Sequence, residues 1–116
     1  MQLQQSLQMH DPFFEQKALV IGALYDVIDP ELFVNIVDLG LVYDIDFLPD
    51  NKILITMTLS TPHCPLGEAI QTGVKNRLLQ EFADHQIDIE IVWEPAWSLE
   101  KISEEGRKML GMPPRN

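Results

Sequence analysis

Between Tyr43 and Trp93 the apolar residues change period twice, and that change restricts the chain to few architectures. Tyr43, Ile45 and Phe47 alternate with Asp44 and Asp46 in a segment that begins at Leu41; after Pro49-Asp50-Asn51 the alternation resumes with Ile53, Ile55, Met57 and Leu59. A two-residue period sends successive side chains to opposite faces of a strand, and Pro, Asp and Asn supply turn chemistry, so the segment predicts an antiparallel hairpin. Leu66, Ile70, Val74, Leu78 and Phe82 then recur at four-residue steps, the stripe of an amphipathic helix that Gly67 and Gly73 weaken without cancelling. Ile87, Ile89, Ile91 and Trp93 return to the shorter period and predict a third strand. Trp93 continues its apolar face and is expected to matter more to folding than Trp97, which lies past Pro95.

The flanks add helices. Asp11-Pro12 predicts an N-cap with proline at the first helical position, followed by an apolar face of Phe14, Ala18, Ile21, Tyr25 and Ile28. Asp29-Pro30 should end that helix, because the residue before proline is driven out of the α region. A loop through Asn35 follows. Past Trp97 come short helical turns, with Ser98 and Ser103 as N-caps and Gly111 as a stop. The order α-β-β-α-β-α predicts an α+β two-layer domain, a small mixed three-stranded sheet covered by helices on one face. Residues 1–10, rich in glutamine, read as a disordered leader, with Met9 as an alternative start; residues 11–116 read as one domain.

With 116 residues and a hydrophobic fraction of 46%, the chain has enough material for its own core. Eighteen acidic against eight basic residues give a net charge of −10, which opposes contact with a phosphate backbone and argues against nucleic acid as a partner. No apolar run approaches a membrane span and no signal peptide is visible, so no membrane role is expected and a cytoplasmic location is. The single cysteine fits a reducing compartment.

That cysteine, Cys64, lies in Thr61-Pro62-His63-Cys64-Pro65, between the second strand and the helix that follows it. There it reads as an N-cap with Pro65 at the first helical position. A helix amino terminus favours thiolate over thiol, and a thiolate binds iron or attacks sulfur. The structural alternative is a small buried hydrophobe. His63 is a weaker candidate ligand, since neighbours on an extended loop point in opposite directions. Asp29 and Glu31, on either side of Pro30, have the chemistry to bind a hard cation or a basic partner, although turns recruit such residues for their own sake. His10 and His85 read as solvated. No paired cysteines, HExxH, phosphate loop or nucleophile elbow is present, so no catalytic residue is assigned.

Four blocks in order give the chain a resemblance to the SufT/PaaD-like family of metal–sulfur cluster biosynthesis proteins. They are Asp29-Pro30-Glu31; Asn35 to Tyr43 (NIVDLGLVY); Met57 to Pro65 (MTLSTPHCP); and Val92 to Ser98 (VWEPAWS). The resemblance spans about Ala18 to Gly111. It implies an accessory factor in iron–sulfur cluster assembly or transfer to apo-proteins, with Cys64 matching the motif cysteine as the cofactor-binding and metal-contacting residue. Asp29, Glu31, Asp38, Thr61 and His63 are implied as site-lining. A transient iron–sulfur cluster or iron would be shared with a second chain or a partner. The implied partners are assembly proteins and apo-protein recipients, and a homodimer is one arrangement that brings two Cys64 residues together. The chain departs from the pattern in having no carboxy-terminal cysteine cluster, which places it nearer the short SufT-like form. Ala96 also stands where a second proline is frequent, and His63 where a small residue is.

Two other readings compete. A thiol-dependent enzyme would use Cys64 as nucleophile with His10 or His85 folded toward it as base. A KH-like nucleic-acid module has a superficially similar order of elements, but the chain lacks the GxxG clamp and its charge is opposed.

Overall fold

The computed structural model describes residues 11–60 and 67–113. Helix α1 spans Phe14–Leu24, strands β1 and β2 span Val42–Leu48 and Lys52–Met57, α2 spans Gly67–Glu81, and β3 spans Gln86–Ile91. A 3-10 turn at Leu99–Lys101 leads into α3, Glu104–Leu110. The architecture is α+β, with the sheet in the order β1-β2-β3. β1 and β2 form the expected antiparallel hairpin, turned by Asp50 and Asn51, both at positive φ (64° and 56°). β2 and β3 pair in parallel, with α2 as the crossover between them.

The register puts Ile45, Ile55 and Ile89 in one row and Phe47, Ile53 and Ile87 in the next, so one sheet face is continuous hydrocarbon. Against it pack Val20, Ala23 and Leu24 of α1 and Ile70, Val74 and Leu78 of α2. Near residue 43 the β1 register shifts, an irregularity that re-aims the strand where the later chain crosses it.

Helix α1 differs from expectation at both ends and in its buried face. The Asp11 carboxylate does accept a hydrogen bond at the entry, from Phe13 N–H at 2.7 Å, but in a turn that precedes the helix proper. The helix stops at Leu24 instead of running to Ile28, because the backbone of Val27 and Asp29 is taken by the following loop: Ile36 N–H donates to Val27 O and Asp29 N–H to Val34 O. The buried line runs through Lys17, Val20, Ala23, Leu24 and Val27, while Ala18, Tyr25 and Ile28 face outward. The Lys17 stem is buried and its ammonium returns to Asp11 Oδ2 at 2.8 Å.

The roles of the tryptophans are the reverse of those expected. β3 ends at Ile91 and Trp93 is 44% exposed, whereas Trp97 packs on the core and its indole N–H donates to Leu39 O at 2.7 Å. Tyr43 Oη donates to Pro95 O at 2.7 Å, and Lys101 Nζ sits 5.2 Å from the Tyr43 ring centroid. The segment after β3, which includes the cis Glu94–Pro95 bond, is thereby fastened over the 39–43 region. Ser103 caps α3 by accepting from Gly106 N–H, and Gly111 ends it in the left-handed region, both as expected. The Ser98 side chain makes no capping bond. No described helix is long and apolar enough to cross a membrane.

Candidate functional site

Thr61, His63 and Cys64 lie outside the described residues, as do the leader, the proposed Cys64 cap and the proline at 65. The described flanks fix where their segment starts and returns. β2 ends at Met57, Thr58 N–H donates to Leu41 O at 2.9 Å, and Val92 N–H donates to Met57 O at 2.9 Å. Leu59 is buried, and Gly67 lies so near it that an added Cβ would be 2.8 Å from Leu59 Cδ1. A bulkier residue at 67 would require the Leu59 side chain to shift. Because β2 and β3 are parallel, this junction lies beyond the carboxyl end of a parallel strand, where strand-to-helix connections commonly form ligand sites.

Asp29 is 2% exposed and already engaged: its Oδ1 accepts from Glu31 N–H at 2.8 Å and Leu32 N–H at 3.0 Å. The same residue holds the loop closed through its backbone, donating to Val34 O and accepting from Phe33 N–H at 2.8 Å. Glu31 is exposed on the outside of this turn. Asp38 is buried, with both oxygens occupied. Oδ2 accepts from Asn35 Nδ2 at 2.7 Å, and Oδ1 from Ser103 Oγ at 2.6 Å. Its own N–H donates to Asn35 Oδ1, and its carbonyl accepts from Ser103 N–H, each at 2.8 Å. Ser103 Oγ passes the chain of bonds on by accepting from Gly106 N–H at 3.0 Å. Asp38 therefore locks the 35–40 loop to the start of α3. Its charge is also felt at Tyr25, whose phenol is raised above its ordinary pKa by burial and then by Asp38.

The structure thus brings Asp29, Glu31 and Asp38 into one stretch of packed loop, but commits the two buried carboxylates to holding that loop. Gly40, at φ +76°, faces the Lys101 carbonyl so closely that any side chain would collide with it, which fixes the same loop against the later chain. Among the described residues no group of three or more His, Cys, Asp or Glu side chains is arranged to hold a metal ion. Sequence reasoning missed Asn35 and Ser103 as partners of Asp38; the visible signal was the cap position of Ser103. His85 is partly buried and packs edge-on against Phe47 and Phe82, at 6.3 and 5.3 Å between ring centroids. It precedes β3 where that strand pairs with Lys52, at the far end of β2 from Met57. Roughly 17 Å of strand, at about 3.3 Å per residue, separates those ends, so His85 is badly placed as a base for chemistry at the junction.

Residues 17–88 match the family described as iron–sulfur cluster assembly protein. The chain belongs to that family. Among curated relatives, the Fe–S protein maturation auxiliary factor YitW of Bacillus subtilis is 43% identical over 83% of this chain and 94% of its own length. The Fe–S protein maturation auxiliary factor SufT of Staphylococcus aureus is 36% identical over 74% of this chain and 98% of its own. Among solved structures, a domain of unknown function, DUF59, from Bacillus anthracis superposes with a TM-score of 0.77 at 38% identity, covering 83% of this chain and 92% of that one. The α+β fold and the SufT-like resemblance read from the sequence both agree with these matches.

Proposed function

We propose that the chain is an auxiliary factor in the maturation of iron–sulfur proteins, carrying or guiding iron–sulfur cargo to apo-protein recipients through contact at Cys64. The observation that carries this reading is the full-length similarity to maturation auxiliary factors, with 94% of the Bacillus subtilis relative covered at 43% identity. The position of Cys64 supports it: the residue falls in the connection between a parallel strand and its crossover helix, and the adjoining 29–40 loop is held rigid by Asp29 and Asp38. These two aspartates act by positioning that loop, since Asp29 Oδ1 and both oxygens of Asp38 already accept internal hydrogen bonds, and with Glu31, Thr61 and His63 they line the proposed site.

The cluster is cargo, not a resident cofactor. A cluster commonly takes about four cysteine thiolates, and this chain has one cysteine. The other ligands come from a second copy, an assembly partner or a small thiol, and such shared coordination favours transfer over storage. The role is accessory and not catalytic, and a cytoplasmic setting supplies the reducing conditions a lone thiolate needs.

Anaerobic reconstitution, followed by sizing with iron and sulfide analysis at several protein concentrations, tests the reading. Cluster content should rise with the fraction of assembled protein and vanish in Cys64→Ser. A stable four-iron cluster on a strictly monomeric chain without added thiol, or one retained by Cys64→Ser, would overturn it.

A further inference from the structure

We infer that the loop from Ile28 to Val34 is a docking surface for a basic, amphipathic segment of a partner protein, with the Phe33 ring as its anchor. Phe33 is 79% exposed and sits at φ +61°, a conformation that a bulky side chain rarely adopts. The loop holds it there through four hydrogen bonds: Phe33 N–H to Asp29 O, Asp29 N–H to Val34 O, and the two N–H donors that Asp29 Oδ1 accepts. Strain that the surroundings enforce, at a side chain left mostly in solvent, is the mark of a residue held ready for something else. The ring is not alone. Ile28, bridged to Asn35 at the base of the loop, is 49% exposed, and Tyr25 just before it 46%.

Charge selects the occupant. The chain carries a net charge of −10, and the carboxylates exposed on or beside this loop are Asp26 and Glu31, while Asp29 and Asp38 are buried and already hydrogen-bonded within the chain. A cation does reach this region from elsewhere, Arg77 of α2, which pairs with Asp26 at 2.9 Å. An apolar anchor beside the exposed Glu31, on a chain this acidic overall, fits a surface that combines hydrocarbon with lysine and arginine. A second copy would bring the same negative field against itself, and anionic lipid or nucleic acid would be repelled. The inference rests on the loop and its charge; it shares Glu31 with the site proposed around Cys64 but requires no chemistry at the cysteine.

The test uses the full chain, isotope-labelled, titrated with two synthetic amphipathic peptides that share one leucine and phenylalanine stripe. One peptide has lysine and arginine on its polar face, the other glutamate and aspartate. The basic peptide should shift the amides of Ile28, Glu31, Phe33 and Val34. Phe33→Asn, which keeps the net charge and tolerates positive φ, should weaken binding by about tenfold or more, the loss expected of an interface anchor. Phe33→Gly should weaken it similarly while leaving the chain at least as stable. The inference is overturned if Phe33→Asn binds the peptide as tightly as the parent, if the shifts map to another face, or if the acidic peptide binds equally well. Concentration-dependent shifts of residues 28–34 without peptide would assign the face to a second copy and overturn it too.

Discussion

Replacing Asp38 with alanine removes the acceptors of Asn35 Nδ2, which is buried, and of Ser103 Oγ, which is partly buried, together. A single buried group stranded in this way costs about 1–3 kcal/mol, so Asp38→Ala should lose at least about 2 kcal/mol in urea unfolding. Cys64→Ala makes the contrasting case: it should leave unfolding free energy within about 1 kcal/mol of the parent while abolishing maturation of recipient proteins. A loss of about 2 kcal/mol or more would mark Cys64 as core and withdraw its proposed role. At this scale the sequence exposed the residues better than their duties. Asp29 and Asp38 stand out in the blocks that carry the family resemblance, yet whether a carboxylate faces a ligand or a backbone depends on partners such as Ser103, 65 positions away. No local pattern contains that information.

In strand β1 two aspartates, Asp44 and Asp46, stand one pleat apart on the face opposite the isoleucines. Burial, then the neighbouring Asp44, push Asp46 above the ordinary carboxylate range; Lys17 opposes and Asp11 adds to the rise. A carboxyl whose folded-state pKa is raised stabilises the fold fully below its unfolded value, about 3.9, and that contribution fades as pH climbs through the folded value. At neutral pH the parent is therefore held back, and Asp46→Asn should unfold at higher temperature than the parent at pH 7. The gap should close below about pH 4, where both side chains are uncharged; an equal gap at both pH values would contradict the assignment. Elements were legible in proportion to how one-sided they are. The strands and α2 each show a single apolar stripe, and the structure keeps those stripes, with Ile53, Ile55, Met57, Ile70, Val74 and Leu78 all buried. α1 has apolar residues almost all round, so two stripes one residue apart fit the same period. The choice fell to the buried stem of Lys17, which a hydrophobic pattern cannot register.

For the molecule as a whole, the α+β class and the order of elements were readable because β2, α2 and β3 alternate in period. The clasp made by the segment after β3 was not, since Trp93 extends the strand's alternation on paper and only the end of β3 at Ile91 releases it to solvent. That clasp has a kinetic consequence. The β1–β2 hairpin closes over a few residues, the parallel pairing of β3 must wait for α2, and the Trp97 bond to Leu39 joins positions 58 apart in sequence. Distant contacts require costly loop closure and tend to form after the local ones. Trp97→Phe should then leave the refolding rate nearly unchanged and speed unfolding by about fivefold, the change expected when about 1 kcal/mol is lost after the folding barrier has been crossed. In stopped-flow experiments the Trp97 indole would serve as a clock for the last stage of folding, the closing of the segment after β3 over the 39–43 region once the sheet has assembled.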